Sequence, residues 1–399
     1  MTSTNPQNSI LRVAVFCLTD PLSGGASNYE KSVVELLGKD KSELVEWHIF
    51  LPKHHSAVNP SIDYENRIHT YRTTPVSYMF TWMRYSLAGY ALLKRIGLRY
   101  GRIERQLNKI GIHLAYFLSP NPIAIDLVDM PSMNTVWDLG HRDLPEFVEI
   151  TGDRHFEERE LFFNAVLPKS VHTFVDTNET AEKIIKIYGL TRTRISVTGL
   201  LVAQPVNQRE TLPTRKQESE VDKYFLYPAQ YWPHKAHILL LEALSVAKSF
   251  HPEMKIVLTG SDKGNLHYVN SCIVALELQR NVEIKGFVSE EVLAELMVNA
   301  QALVFPSRLG PSNMPPLEAL RLGTPIVISD VHFDTALISP ITTVVHSTAV
   351  QDWADALVEA WTKDVSDLSP VAIPEMSLLD NIHLVLEKFA VNRKQWRNK

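Results

Sequence analysis

Two cysteines in 399 residues, Cys17 and Cys272, are too few for a disulfide framework. One falls in an apolar strand and the other in a helical pattern, which fits a reducing compartment. Basic residues are not in excess. Forty Lys and Arg stand against 45 Asp and Glu, for a net charge of -5, and a general nucleic-acid binder would carry a basic domain instead. No apolar run reaches the roughly eighteen residues that a membrane-spanning helix needs. The opening MTSTNPQNS lacks the basic start and apolar core of a signal peptide, so a cytoplasmic location is expected. The dinucleotide fingerprint G-x-G-x-x-G is absent, and no histidine sits among acids at metal-ligand spacing, so no metal is expected.

What remains is an ordinary globular composition, 45 % hydrophobic and 21 % charged, long enough for two cores. The first half alternates strand and helix. Strands are expected at Ile10–Cys17, Val45–Leu51, His113–Leu118, Asn134–Trp137, Val171–Val175 and Ile195–Thr198, with helices such as Asp153–Val166 and Glu179–Tyr188 between them. Residues 206–223, VNQRETLPTRKQESEVDK, hold eight charged residues and three aliphatic ones. They read as an exposed linker between domains 1–205 and 224–399. The alternation then restarts, with strands at Tyr224–Tyr227, Met254–Thr259, Val282–Lys285, Ala302–Phe305 and Pro325–Ser329. Helices are expected at Ala236–Phe250, Leu266–Leu278, Glu290–Ala300 and Pro316–Leu322. Two such runs imply two doubly wound α/β domains, whose ligands bind beyond the carboxyl ends of the strands.

Candidate sites lie at those ends. Gly24 and Gly25 precede the first helix, where glycine lets backbone approach a ligand; a plain strand-to-helix turn is the alternative. Asp138, His141, Arg142 and Asp143 crowd the loop after another strand, as a substrate site or a capped polar loop. His141 is suited to donate a hydrogen bond or move a proton near neutral pH. Lys235 opens a helix, adding a full charge for phosphate to a terminus that already favours anions, although alone it reads as a surface lysine. Gly260 and Gly264 follow the next strand. In SNMPPLEAL, Asn313 and Met314 offer N–H groups at a helix start, Pro316 suits a first turn, and Glu318, read as a first-turn acid, can bind two vicinal hydroxyls. Phosphate and diol at that spacing describe a nucleotide with its ribose.

A different chemistry marks residues 78–109. Seven Lys or Arg face one acid from Arg84 to Lys109, and Tyr78, Phe80, Trp82, Tyr85 and Tyr90 crowd the start. The segment reads either as a long packed helix with a solvated basic face or as a membrane-interface helix. Five more basic residues and Trp396 follow Glu387.

YPAQYWPHKAHILLLEAL, VEIKGFVSEEVLAELMVNAQALVFPS and GPSNMPPLEALRLGTPIVISD resemble the donor-binding domain of glycosyltransferase family 4, retaining enzymes of the GT-B architecture. VWDLGHRDLPEF and the Ser-Gly-Gly turn resemble the first domain more loosely. The resemblance implies two Rossmann-like domains with an interdomain cleft, and transfer of a sugar from a nucleotide-sugar without metal or cofactor. It places Lys235 on the donor phosphates, Asn313 and Met314 on them through backbone N–H groups, and Glu318 on the ribose. It places the Lys285–Ser289 turn, with Phe287, against the base, and Gly24 and Gly25 facing the donor. Three positions depart from the pattern. Gly310 stands for the first glutamate of E-x7-E, Gln230 for the arginine before the lysine, and Trp137 for the histidine of the His-Asp loop, which leaves His141 as the nearest imidazole beside Asp138.

The expected activity is therefore a retaining hexosyl transfer from a UDP- or GDP-sugar to a glycan or lipid-linked acceptor in cell-surface polysaccharide synthesis. Residues 78–109 would lie at the cytoplasmic face of the membrane. A non-catalytic nucleotide-sugar-binding scaffold and a GT-B nucleotide-sugar epimerase are the competing readings. A metal-dependent GT-A enzyme is disfavoured, because no convincing D-x-D follows a strand.

Overall fold

The computed structural model of the chain describes residues 10–18, 25–53, 67–199, 215, 222–310, 313–332, 338–365, 368–371 and 378–396. They form two compact units. One holds residues 1–139, 157–199 and 376–399, the other 140–156 and 200–375. Neither unit is continuous in sequence, unlike the division at a linker. That linker, 206–223, lies outside the described residues except for 215, 222 and 223.

In the first unit, β1 (Leu11–Phe16), β2 (Val45–Pro52), β3 (Ile68–Tyr71), β4 (Leu114–Phe117), β5 (Ser132–Val136), β6 (His172–Val175) and β7 (Ile195–Val197) form one sheet. Its order is β3-β2-β1-β4-β5-β6-β7 and every pairing is parallel. β1 reads as a continuous apolar run because both of its faces are covered: Val13, Ala14, Val15 and Phe16 are all buried. On one face Phe16 stacks between Phe50 and Phe117, at centroid distances of 4.9 and 4.8 Å. The helix Leu378–Trp396 belongs to this unit, and its His383 hydrogen-bonds Asp40 at 3.2 Å.

In the second unit, β8 (Phe225–Pro228), β9 (Ile256–Thr259), β10 (Val282–Gly286), β11 (Ala302–Phe305), β12 (Ile326–Ser329) and β13 (Thr342–Val345) form a second parallel sheet in the order β10-β9-β8-β11-β12-β13. Ser289 caps the helix Glu290–Asn299 by accepting from Val292 N–H, as its position before two acids suggests. Each unit is a doubly wound α/β fold, and together they make the GT-B architecture expected from the sequence.

Eleven strands coincide with the expected apolar runs. β3 and β13 do not, and both are edge strands with one neighbour each. IHTY and TTVV are only partly buried, so they lack the apolar run that marks a strand covered on both faces. The basic segment is not one long helix. It breaks into helices Pro75–Tyr85, Leu87–Arg95 and Arg102–Ile110. Ser86 caps the second by accepting from Gly89 N–H at 3.1 Å, and Gly97, at φ +79°, ends it.

Candidate functional site

The strand order of the second sheet reverses between β8 and β11. The loops that follow these two strands therefore diverge, and a crevice opens between them at the carboxyl ends. From the first loop, Lys235 sits at the end of a short 3-10 turn, Pro233–Lys235, and Ala236 follows in the left-handed region at φ +53°. The Lys235 ammonium donates to Asn313 Oδ1 at 3.0 Å and Ser307 Oγ at 3.3 Å, and lies 5.4 Å from the Phe305 ring centroid. Behind it, Tyr227 Oη donates to the Lys235 carbonyl. Tyr227 and Tyr231 pack on His237, whose imidazole burial pushes down to about 3, with the charge of Lys235 adding to the effect. His237 is thus a neutral core residue rather than a proton carrier.

Asn313 precedes the helix Met314–Arg321 but does not cap it. Its carbonyl oxygen takes the lysine, and its Nδ2 donates to Leu309 O at 3.0 Å. Pro315 and Pro316 carry no N–H, so this helix start, uncapped by the Asn313 side chain, offers chiefly the N–H groups of Asn313 and Met314, at the end of the dipole that favours anions. Met314 is the first helical residue, so Glu318 falls in the second turn rather than the first. It is 6 % exposed, and a carboxylate at that depth needs partners.

Gly260 is glycine for a reason internal to the unit. Its φ is +142°, and a Cβ there would stand 2.2 Å from the Ala229 carbonyl oxygen. Its N–H donates to Gly286 O at 2.8 Å, joining the ends of β9 and β10. Gln230 accepts from Trp232 Nε1 at 3.1 Å. Phe287, just beyond β10, is exposed. Gly264 lies in a turn in which Asp262 accepts from Gly264 N–H and Leu266 N–H.

Two contributors escaped the sequence reading. Glu149 belongs to the segment 140–156 that joins this unit, and its Oε1 accepts from His234 N–H at 2.9 Å and His234 Nδ1 at 3.0 Å. It grips the residue before Lys235 across 85 positions of sequence, a distance no local pattern reveals. Arg308 donates its backbone N–H to the His234 carbonyl at 2.8 Å, and its buried Nε has no hydrogen-bond partner among the described residues. The backbone contact holds residue 308 against the turn that carries Lys235.

The residues expected to act from the first half are divided. His141 is fully buried, in a short helix Gly140–Asp143 of the second unit, 5.5 Å from the Phe156 ring. Asp138 belongs to the first unit, where its carboxylate accepts from Arg159 at 2.6 Å. That ion pair gives it a structural task. Trp137 packs edge-on to Tyr29 at 5.8 Å. Gly25 opens the helix Gly25–Gly38, and Gly24 lies outside the described residues. From that helix Glu30 reaches back, accepting from Leu18 N–H at 3.1 Å and Ser119 Oγ at 2.7 Å. It ties the ends of β1 and β4 where the first sheet reverses its order.

Residues 208–367 match the family model of glycosyl transferases, group 1. The O-antigen chain mannosyltransferase RfbU of Salmonella typhimurium is 28 % identical over 187 residues, 43 % of this chain and 47 % of that protein. The match thus spans about half the length of that curated relative. Among solved structures, Anabaena HepE in complex with UDP-glucose superposes with a TM-score of 0.68 at 12 % identity, covering 96 % of this chain and all of that one. WaaG, a glycosyltransferase involved in lipopolysaccharide biosynthesis, superposes at 0.64 with 14 % identity over 88 % of this chain and 90 % of its own. Over both units the chain has the GT-B fold of these enzymes, and its second unit carries the group 1 glycosyl transferase match.

Proposed function

We propose that the chain is a retaining, metal-independent glycosyltransferase of the family 4 type, moving a hexose from a UDP- or GDP-sugar to a glycan or lipid-linked acceptor in polysaccharide or lipopolysaccharide synthesis. One observation carries the reading. Lys235 is fixed by Asn313 and Ser307 at the uncapped start of a helix, with a buried carboxylate, Glu318, on the following turn. RfbU and WaaG, both tied by name to such polymers, support the substrate class.

The chemistry follows from the charges. A departing nucleoside diphosphate gains negative charge as the glycosidic bond lengthens. Lys235 and the helix N–H groups meet that charge with a cation and dipoles already in place, which lowers the barrier without reorganisation. Asn313 and Met314 present the N–H groups, Glu318 takes the ribose hydroxyls, and Phe287 offers an exposed ring to the base. No side-chain nucleophile is assigned. The acceptor hydroxyl attacks from the face the leaving group departs, giving its proton to the leaving phosphate.

A thermal-shift screen with UDP, GDP, ADP and their sugar conjugates tests the site. A ligand at 100 times its Kd stabilises by about 2.7 kcal/mol. One nucleotide should raise the melting temperature, and Glu318→Ala should weaken that nucleotide by about tenfold or more, since hydrogen bonds to a charged group contribute roughly 1.5–3 kcal/mol each. An unchanged shift in the variant would remove Glu318 from the ribose. Nucleotide binding with no turnover on any acceptor would instead favour the scaffold reading.

The broken basic segment presents an apolar surface that fits an anionic lipid bilayer. Trp82 is 55 % exposed and Leu87 is 89 % exposed, with Met79, Leu92 and Ile96 also open to solvent. Lys94, Arg95 and Arg105 are exposed among them. Each basic residue near an anionic leaflet contributes about 1 kcal/mol. The protein should sediment with vesicles containing anionic lipid, lose that binding in high salt, and bind several-fold less as Trp82→Ser/Leu87→Ser. Equal binding to neutral vesicles, or none to either, would sink the membrane contact.

A further inference from the structure

The first sheet reverses its order between β1 and β4, and the carboxyl ends of β1 to β4 surround a cavity of about 70 Å³. That is room for several waters or one small polyatomic anion. Leu18, Pro52, Tyr71 and Asn121 line it just past the four strand ends. Its polar wall is made by Arg72, Thr73, Arg102, Asn121 and Asp126.

The charges in this wall do not cancel. Asp126 is paired with the largely buried Arg84, so its charge is already met. Arg72 and Arg102, both exposed to solvent at the cavity mouth, pair with no carboxylate among the described residues. Arg102 is also the first residue of the helix Arg102–Ile110, whose cap position is Gly101, without a side-chain hydrogen bond to the helix N–H groups. A cation at that end is disfavoured by the helix dipole unless an anion lies between them. A Cβ on Gly101 would meet the Asp126 carboxylate, which would have to shift.

An independent observation points to a ligand. Asn121 is 1 % exposed; its Oδ1 accepts from Ile123 N–H at 3.0 Å, while its Nδ2 has no hydrogen-bond partner among the described residues. A buried amide donor left unpaired is rare and costly, and Asn121 is one of the residues that line the cavity. The wall is also held firmly: Tyr71 Oη donates to Cys17 O at 3.1 Å, and Glu30 ties Leu18 to Ser119.

We infer that this cavity is an oxyanion subsite that binds a phosphate or diphosphate group carried by the acceptor, through Arg72, Arg102, Asn121 and the N–H groups at the start of helix Arg102–Ile110. The acceptor part of this assignment rests on the transferase reading given above. The anion site itself does not. A phosphate held here fixes the acceptor by a group remote from its reacting hydroxyl, so that binding energy gained at the anion positions the sugar. Two kinds of acceptor carry such a group: a phosphorylated saccharide and a sugar on a prenyl diphosphate.

Calorimetric titration of inorganic pyrophosphate separates the two sites. The wild-type protein should show two classes of binding, one lost in Lys235→Ala and the other weakened by at least about tenfold in Arg72→Ala and in Arg102→Ala, as the loss of a charge-assisted contact implies. Arg105→Ala, one turn further along the same helix and exposed, should change neither. A Tyr71→Phe variant, which keeps every cationic group, controls for disturbance of the wall and should retain the second class. If only the Lys235-dependent class exists, the cavity assignment is overturned and the donor site stands. If only the arginine-dependent class exists, the cavity stands and the donor reading fails. A sugar on a short prenyl diphosphate and a lipid-free phosphorylated oligosaccharide then compete for the arginine-dependent class. Competition by either supports the acceptor assignment and identifies the source; competition by neither overturns it.

Discussion

Lys235→Ala should lower turnover by about 100-fold, equivalent to about 2.7 kcal/mol of transition-state stabilisation, because the removal of one preorganised group facing developing charge has effects of that size. The variant should remain folded. The contact that Tyr227 makes in this loop is to the Lys235 carbonyl, which alanine retains, and the Glu149 contacts are to His234. Lys235→Arg should recover little of the loss, since Asn313 Oδ1 and Ser307 Oγ converge on one compact ammonium and a planar guanidinium does not fit between them. Initial rates at saturating acceptor, with nucleotide affinity measured separately, check the expectation. Turnover equal to that of the unaltered protein would remove Lys235 from the leaving-group site.

Gly260→Ala should produce the largest loss of stability of any single methyl added in the second unit. The new Cβ would stand 2.2 Å from Ala229 O, 2.6 Å from Ala229 C and 2.9 Å from Gln230 N, at a φ of +142°. Backbone, not a flexible side chain, would have to yield, and the conformation itself costs of order 1–3 kcal/mol for a residue with a side chain. A total of about 3 kcal/mol or more is expected, or roughly 6–12 °C in the melting temperature for a domain of this size. Gly264→Ala is the matched comparison. It also has a positive φ, +99°, but its Cβ would meet nothing within 4 Å. If the two variants melt together, the approach of Ala229 is not what requires a glycine at 260. Because the yielding backbone leads into the Gln230–Lys235 loop, nucleotide binding should fall with stability.

Most of the fold was legible because parallel strands covered on both faces are written as short apolar runs. VAVF and ALVF are examples, and both are buried end to end. β3 and β13 were not legible because IHTY and TTVV are only partly buried and mix polar residues with apolar ones; edge position alone does not explain it, since β7 and β10 are edge strands too and were expected. The residues that meet at the candidate site were legible where physics places them close to a helix start: Lys235, Asn313, Met314. Glu149 and Arg308 were not. The first reaches the site from far away in sequence, and the second is held there by a backbone hydrogen bond that no side-chain pattern announces. Gly260 was noticed for its place after a strand; what requires glycine there is the approach of the chain's own Ala229 backbone. The basic segment was read from its charge, which does not report where Ser86 and Gly97 interrupt it.

The discontinuity of the two units bears on how such a chain can change in evolution. Recombining one half with another is one route to a new specificity, and the charged stretch after residue 205 invites the crossover. A recombinant joined there would inherit its second unit without the native Glu149 beside His234, and its first unit with a foreign partner for Asp40 in place of His383. Both ends of the inheritance must match. The segment 140–156 has to travel with the second unit, and the terminal helix with the first. Diversification by exchange is therefore constrained to four-point crossovers, whereas diversification by substitution in the strand-end loops is open throughout.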